Sequence, residues 1–335
     1  MTLAAPTPPV TDRRELSRLA YGFMASQALF AALGVDLFGH LAGGPRTVAE
    51  LAGATGVPPH RMRTLLAALA AVGLVVADGD GFVNAPASAR HLVGADGLGE
   101  YFRLQIAQQI YPAMTHLTAG ITGTGTAFDT LAGLLADSGQ AQMFTAAQHA
   151  GSLGPARALA ARVPLPGAAR LLDVGGGSGA FATAFCAANP GLRATVLDLP
   201  RVVEAAAGFV REPVTLLAAD AARDPWPGDQ DVVLMSYLLS ALADAEIDVV
   251  LARARAALHP GGTLIVHDFL LDDDRRGPAP AALWFLQYLA YRPDAVSFTG
   301  TELAERLAGH GFEPVTLDIL IPEITGVILA RRGPS

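Results

Sequence analysis

The 335-residue sequence contains no lysine, and all 23 of its basic residues are arginines. Its 31 acidic residues give a net charge of −8, so the chain lacks the positive excess that binding a polyphosphate backbone requires. Composition alone therefore disfavours nucleic acid as a partner.

Cysteine is almost absent as well. The single cysteine, Cys186, cannot form an internal disulfide and is interpreted as a small core residue. The N-terminal residues lack the apolar segment of a signal peptide. No apolar run reaches the length of a membrane span, because Gly, Arg and Asp interrupt each one. These features predict a cytoplasmic protein with no membrane partner.

The most informative stretch runs from residue 171 to residue 180, where two leucines and Asp173 lead into a glycine cluster. Three glycines alternate with other residues: Gly175, Gly177 and Gly179. Glycines at a strand-to-helix turn let a ligand approach the backbone N–H groups closely. About 20 residues later, Asp198 ends a second apolar strand, where a carboxylate can accept both hydroxyls of a ribose. The pattern predicts a βαβ unit that binds a nucleoside.

These residues resemble the acidic-x-Gly-x-Gly-x-Gly motif of S-adenosylmethionine-dependent methyltransferases. The likeness is to the two-domain small-molecule O-methyltransferases of plant phenolics and bacterial antibiotics. It continues through 198–200, 219–221, 231–234 and the Pro-Gly-Gly turn at 260–262, and it covers nearly the whole chain. It implies S-adenosylmethionine as the cofactor. A dinucleotide fingerprint tolerates Ala180 at its third position, so a dehydrogenase stays an alternative.

The resemblance also implies which residues bind the cofactor. Asp220 with Ala221 matches the adenine-binding pair, and Ser236 with Tyr237 matches the stretch under the methionine moiety. The full predicted set is Asp173, Gly175, Gly177, Gly179, Asp198, Leu199, Asp220, Ala221, Ser236 and Tyr237. Several of these residues fall at predicted strand ends, and ligands of open α/β sheets bind at the carboxyl edges of the strands.

Strand and helix patterns alternate from residue 161 onward, which predicts a doubly wound, mainly parallel sheet. The resemblance identifies this α/β region as a Rossmann-like class I methyltransferase domain preceded by a mainly α, winged-helix dimerisation domain. The predicted division is a flexible N-terminus at 1–14, the winged helix at 15–100, a helical linker and pocket roof at 101–160, and the cofactor-binding domain at 161–335.

The winged-helix prediction rests on local signals between residues 47 and 83. Thr47 and Glu50 form a capping-box pattern, Pro59 begins an apolar-periodic helix, and two short strands flank an Asp-Gly turn. A DNA-binding regulator would need many basic side chains on the second helix, which offers only Arg61, Arg63 and a histidine. The regulator stays a remote alternative. The resemblance implies a homodimer through this domain.

The chain departs from the family at the catalytic position. Where the resembled enzymes carry His-Asp-Trp, this sequence has Ser240 followed by Ala and Leu. A phenol has a pKa near 10, so a base matters for its methylation, and a serine hydroxyl can position an oxygen but is no comparable base. His267 or Asp268 could replace the base, the acceptor could need no strong base, or the enzyme could bind the cofactor and catalyse a cyclisation or rearrangement instead. No second histidine lies at ligand spacing, so no metal is predicted.

Residues of the acceptor pocket are predicted in two segments. By the resemblance, residues between 101 and 160 roof the pocket, with Tyr111, Met143, Phe144 and His149 as candidates. A helix opening at 281 carries Trp284, Gln287 and Tyr288 at 3–4 residue spacing. Aromatic walls with one amide suit a flat, mostly apolar acceptor. The predicted function is therefore methylation, on O or C, of a small aromatic or polyketide-type metabolite. Plain core packing, or a dimer-facing helix, is the alternative for these residues.

Overall fold

The computed structural model describes residues 8–94, 98–125, 135, 137–292 and 294–333. The chain divides into two compact units, one spanning Pro8–Tyr111 and the other beginning at Pro112. The finer boundaries at residues 14, 100 and 160 stay predictions. In the described part of the chain, no helix combines the length and apolarity needed to cross a bilayer.

The first unit consists of helices and a two-stranded hairpin, which confirms the winged-helix order. Thr47 caps its helix as predicted, since its Oγ1 accepts the Glu50 N–H at 3.3 Å while its own N–H donates to Glu50 Oε2 at 2.7 Å. The elements are α1 (Arg13–Gly34), α2 (Leu37–His40), α3 (Val48–Thr55), α4 (Pro59–Ala71), β1 (Val75–Asp78), β2 (Gly81–Asn84), α5 (Pro86–His91), α6 (Leu98–Tyr101) and a π-helix (Phe102–Ile110).

One helix differs from its predicted bounds. The sequence pattern predicts a single helix over 25–41, but α1 begins at Arg13 and the chain breaks before α2. Asp12 starts α1 early because its carboxylate accepts the Glu15 N–H at 2.8 Å. Asp36 ends the continuity by adopting a left-handed conformation with φ of 50°.

The first two-thirds of α1 exposes large apolar side chains. Leu19 is 75% exposed, and the other exposed residues of this surface are Leu16, Tyr21, Phe23 and Met24. Water-exposed apolar side chains grouped on one element mark an association surface more often than scattered ones do. We refer to these five residues as the α1 apolar surface.

The second unit is built on a sheet whose described strands run in the order β5-β4-β3-β6-β7-β9-β8. β3 to β7 pair in parallel, and β9 is antiparallel to both β7 and β8, which confirms the mainly parallel sheet. The strands are β3 (Arg170–Val174), β4 (Arg193–Asp198), β5 (Val214–Ala218), β6 (Gln230–Ser236), β7 (Leu258–Phe269), β8 (Phe312–Ile321) and β9 (Thr325–Arg332). Helix α7 (Tyr111–Met114) begins at the last residue of the first unit. The described helices that follow it are α8 (Leu117–Thr122), α9 (Ser138–Arg162), α10 (Ala180–Ala188), α11 (Pro200–Ala206), a 3₁₀ turn (Leu239–Ala241), α12 (Asp244–Ala257), α13 (Ala279–Tyr291) and α14 (Gly300–Gly309).

Helices cover both faces of the sheet because successive residues of a strand point to opposite faces. Leu171 of β3 packs in a buried cluster with α9 and α10. Leu172, the next residue, packs in a second cluster with α12. β3 is therefore an inner strand of the sheet, buried on both faces. The glycine turn follows its C-terminal end and lies at the carboxyl edge of the sheet.

Candidate functional site

The turn after β3 is held to β4 through its glycine backbone. Gly175 N–H donates to Leu197 O at 2.8 Å, and Gly177 N–H donates to Asp198 Oδ2 at 2.8 Å. Gly177 has φ of 56°, and no described atom lies within 4 Å of where its Cβ would be. Only glycine adopts this conformation without strain while leaving the surface of the turn open. The turn can therefore receive a ligand against its backbone.

Asp198 stands at the end of β4 beside this turn. Its second oxygen, Oδ1, accepts the Leu199 N–H at 2.7 Å, so two backbone N–H groups orient the carboxylate. Burial raises the pKa of Asp198 to about 6, and these two N–H donors oppose the rise. A carboxylate has further lone pairs after two such bonds. Asp198 is thus placed to accept ligand hydroxyls.

Asp173, the acidic residue of β3, is fully buried beneath the same turn. Its Oδ2 accepts the Ala182 N–H at 3.1 Å, whereas its Oδ1 has no hydrogen-bond partner among the described residues. Burial raises the pKa of Asp173 to about 7, and the charge of Asp198 adds to the rise. An unpaired buried carboxylate oxygen is costly, so this site favours a donor or a positive charge.

These features fit S-adenosylmethionine, which carries a ribose diol, an ammonium and a sulfonium. The open surface at Gly177 leaves space for it. The positive charge of the bound cofactor would favour the ionised forms of Asp173 and Asp198, whose pKa values burial raises. The residues present are therefore compatible with this cofactor at the carboxyl edge of β3 and β4.

The remaining predicted cofactor residues have mainly structural contacts. Gly179 begins α10 with φ of 76°, where a Cβ would lie 2.6 Å from a methyl group of Val210. Asp220 Oδ1 accepts the Ala222 N–H at 2.9 Å, which closes the turn after β5. The carbonyl of Ala221 accepts the Trp226 indole N–H at 3.0 Å. Their contacts with a nucleoside base stay a prediction.

His267 is not placed to act as a base, which corrects the expectation from the sequence. The residue is completely buried in β7, where its Nδ1 is bonded to Ser236 Oγ at 2.8 Å and its Nε2 to Thr325 Oγ1 at 3.0 Å. Burial lowers the pKa of His267 to about 3. Both ring nitrogens join neighbouring strands of the sheet, so this histidine has a structural role.

Ser236 and Tyr237, predicted beneath the methionine moiety, lie around this histidine. The Ser236 hydroxyl is used by His267, and Tyr237 N–H donates to the His267 carbonyl at 2.8 Å. The Tyr237 ring centroid lies 4.5 Å from that of His267 and 5.1 Å from that of Phe269. Tyr237 therefore belongs to an aromatic cluster with His267 and Phe269.

Ser240 and Asp268 are brought together, as their shared prediction as catalytic residues requires. Ser240 N–H donates to Asp268 Oδ2 at 3.1 Å, and the Ser240 hydroxyl donates to Tyr288 Oη at 3.3 Å. Ser240 is 0% exposed, so direct contact between its hydroxyl and an acceptor, as the sequence suggested, does not fit the structure. Among the described residues, no three His, Cys, Asp or Glu side chains group as metal ligands do.

The aromatic cluster extends from Tyr237 onto α13. Trp284 stacks on Phe269 with ring centroids 5.0 Å apart and planes 13° apart. Gln287 is buried on the same helix, and its Oε1 has no hydrogen-bond partner among the described residues. The predicted Trp284, Gln287 and Tyr288 therefore combine stacked rings with a buried amide oxygen and a hydroxyl.

The predicted roof residues are more dispersed. Met143 of α9 is 38% exposed, whereas Phe144, like Leu199, packs against a buried cluster of Leu135, Ala141 and Val202. His149 Nδ1 is bonded to Ser178 Oγ at 2.9 Å, and its ring stacks on Phe209. Tyr111 belongs to the first unit, where its ring meets Phe30 edge-on at 6.2 Å. His149 thus supports the glycine turn, and its role as an acceptor contact stays a prediction.

Sequence reasoning missed three residues that shape the site. Ser178 is hydrogen-bonded to His149, and Thr325 is hydrogen-bonded to His267. Arg292 Nη1 donates to the Ala241 carbonyl at 2.8 Å. Ser178 lies inside the glycine motif, so its position gave a signal. Thr325 is 58 residues from its partner His267, and Arg292 is 51 residues from its partner Ala241. A local sequence pattern gives no signal for such distant pairs.

Comparison with known proteins agrees with this geometry. The O-methyltransferase domain family matches residues 118–313, and the O-methyltransferase dimerisation domain family matches residues 17–94. A 3-hydroxy-5-methyl-1-naphthoate 3-O-methyltransferase of Streptomyces sahachiroi is 32% identical over 98% of this chain and 98% of its own length. The N,N-dimethyltransferase OxyT of Streptomyces rimosus is 31% identical over 80% of this chain and 81% of its own length.

A solved structure extends the likeness to three dimensions. Human N-acetylserotonin methyltransferase in complex with S-adenosylmethionine superposes with a TM-score of 0.86 at 27% identity. The alignment covers 98% of this chain and all of the human chain, so it includes both units.

Proposed function

Because the chain belongs to the S-adenosylmethionine-dependent O-methyltransferase family and methylates small molecules, we propose that its acceptor is a phenolic oxygen of an aromatic or polyketide-type compound. The observation that carries the proposal is the aromatic cluster of Tyr237, Phe269 and Trp284, which belongs to the same packed cluster as Tyr288 of α13. Stacked rings next to one hydroxyl suit a flat ring that bears a reactive oxygen.

Cofactor binding is assigned to the turn after β3. Asp198 would accept the ribose hydroxyls, the open backbone at Gly177 would approach the nucleoside, and Asp173 would balance positive charge. When bound, the cofactor supplies a methyl group that its sulfonium already activates for displacement. The protein therefore has to align the acceptor oxygen in line with that methyl group and manage one proton.

Gln287 is proposed as an acceptor contact. Its buried Oε1 has no partner among the described residues, so a hydroxyl or N–H on the bound compound would satisfy it. A buried acceptor of this kind discriminates against compounds that lack the donor. We therefore infer that the acceptor carries a second hydrogen-bond donor besides the oxygen that is methylated.

An amine is the second candidate acceptor, because OxyT is named an N,N-dimethyltransferase and Ser240 stands where the resemblance places the histidine of the family. An amine reacts through its neutral form, and an alkylammonium and a phenol, with pKa values near 10, are both mostly protonated at neutral pH. Both candidates therefore lose one proton before methyl transfer, and the labelled atom distinguishes them.

The acceptor class is tested with methyl-labelled S-adenosylmethionine and two probes. The probes are 3-hydroxy-5-methyl-1-naphthoate and serotonin, which offers a phenol and an amine within one molecule. We expect S-adenosylhomocysteine to accumulate with label on the phenolic oxygen, as located by mass spectrometry and NMR. Label on the serotonin nitrogen would support the amine instead. Absence of label from both probes would contradict the proposed acceptor class.

The dimerisation-domain match supports a homodimer, and we propose that the α1 apolar surface forms its contact. Leu19→Asp is expected to raise the dimer dissociation constant at least tenfold, because burying a leucine contributes about 1.5–3 kcal/mol. Sedimentation velocity measures the shift to monomer. Val249→Asp, at a 39% exposed position of α12, is the control and should leave the dimer intact. An unchanged constant for Leu19→Asp would place the interface elsewhere.

With one cysteine in the chain, we also propose a cytoplasmic location.

A further inference from the structure

Arg292 directly follows α13, and only 17% of its side chain is exposed. Its guanidinium has three partners. Nη1 donates to the Ala241 carbonyl at 2.8 Å, Nη2 lies 3.4 Å from Glu246 Oε2, and Nε donates to Asp294 Oδ1 at 2.6 Å. A rigid, planar fork of N–H groups allows one arginine to hold several acceptors in a fixed geometry. Arg292 thus attaches the end of α13 to the segment 241–246.

The segment that Arg292 holds follows β6. Ala241 ends the 3₁₀ turn after this strand, and Glu246 lies in the first turn of α12. Glu246 Oε2, which faces Arg292, also accepts the Ala243 N–H at 2.8 Å. Ala243 in turn forms a β-bridge with Ala295. Two separate contacts therefore join the chain after α13 to the chain after β6.

The earlier part of α13 is held by a different contact. Trp284 stacks on Phe269 at the end of β7. Gln287 and Tyr288, the candidate acceptor contacts, lie between this stacked pair and Arg292 along the helix. A helix that is attached on both sides of two residues holds those residues in place. Without the attachment at Arg292, the end of α13 would be free to tilt about the stacked pair.

We propose that Arg292 is a positioning residue for the acceptor, because it fixes the distance between α13 and the turn after β6. The inference rests on the proposed function, since it assumes that α13 borders the acceptor. β6 ends at Ser236, where the methionine moiety of the cofactor is predicted, so this distance sets how an acceptor on α13 meets the methyl group. A misplacement of about 1 Å can cost about 100-fold in rate. Arg292 acts through the helix and does not touch the reacting atoms.

The first test compares Arg292→Gln with wild type in methylation of 3-hydroxy-5-methyl-1-naphthoate. The variant is expected to raise KM for the acceptor about tenfold and to lower kcat about tenfold, because the acceptor is both held and aligned less well. The dissociation constant for S-adenosylhomocysteine, measured by calorimetry, should stay unchanged. Arg292→Lys keeps the charge and a donor for the Ala241 carbonyl, so it should recover part of the loss.

Arg306→Gln is the matched control. Arg306 has a side chain that is 24% exposed, and it donates to Asp244 Oδ1 at the start of α12, but it belongs to α14. This variant should therefore leave KM, kcat and the affinity for S-adenosylhomocysteine unchanged. Wild-type kinetics in Arg292→Gln would overturn the proposal. A weakening of S-adenosylhomocysteine binding as large as the loss in kcat/KM would also overturn it, because the effect would then be on the cofactor site.

The second test needs no acceptor and separates this inference from the proposed function. Amide hydrogen exchange of the ligand-free protein, followed by mass spectrometry, should become about tenfold faster in peptides from α13 in Arg292→Gln. Arg306→Gln should leave the exchange of α13 unchanged. If the wild type methylates neither phenol probe but Arg292→Gln loosens α13, the proposed acceptor is wrong and the attachment of α13 by Arg292 stands. If α13 exchanges equally in the variant and the wild type, the attachment is wrong whatever the acceptor.

Discussion

Replacing Asp198 by asparagine is expected to raise the dissociation constant for S-adenosylhomocysteine by about 10- to 100-fold. Hydrogen bonds to a charged group contribute about 1.5–3 kcal/mol, and each 1.4 kcal/mol is a factor of ten in affinity. The amide also disturbs the turn itself. Asp198 accepts N–H groups from both Gly177 and Leu199, and an asparagine must present its NH₂ to one of them.

Titration calorimetry with S-adenosylhomocysteine measures this effect without the sulfonium charge, so that the ribose contact is observed by itself. The control is Asp229→Asn, which removes an exposed carboxylate paired with Arg170 and should leave affinity unaltered. Circular dichroism should show the same fold for both variants. Equal affinities of the two variants would contradict the assignment of Asp198 to the ribose.

The part of the site that the sequence predicted is the part formed by neighbouring residues. The glycine turn and Asp198 lie within 25 residues of Asp173, and glycine, acid and strand patterns at that range follow from local backbone geometry. The parallel order of β3 to β7 followed from the alternation of strands with helices. Local rules therefore yielded the cofactor-binding half of the fold.

The acceptor half depends on pairs that are distant in sequence. His267 meets Ser236 and Thr325 only because β7 lies between β6 and β9, and this order determines which side chains become buried together. From the sequence, a histidine at a strand end suggested a base. Tyr288 and Ser240 are 48 residues apart, and their contact depends on how α13 packs. No periodicity in the sequence encodes that packing.

Asp173→Asn is expected to stabilise the ligand-free protein at pH 8 by about 2 kcal/mol and to reduce the dependence of its stability on pH between 5 and 8, to which Asp198 and Asp268 also contribute through their raised pKa values. Burial raises the pKa of Asp173 from 3.8 to about 7. The folded state therefore binds more protons than the unfolded state between these values, and stability is fully present below pH 4 and lost as the pH rises through about 7. The shift corresponds to a cost on the order of 4 kcal/mol, of which the variant recovers part because its amide still leaves one polar atom without a partner.

Urea unfolding at pH 5 and pH 8 measures this dependence, and the cofactor gives an independent reading of the same carboxylate. A cationic ligand beside Asp173 favours the ionised form, so binding of S-adenosylmethionine at pH 7 should release protons. Calorimetry in two buffers of different ionisation enthalpy counts those protons. Asp173→Asn should release fewer of them and bind more weakly, and Asp198, whose pKa is also raised, accounts for the remainder. Equal proton release by the variant and the wild type would show that the cofactor charge lies away from Asp173.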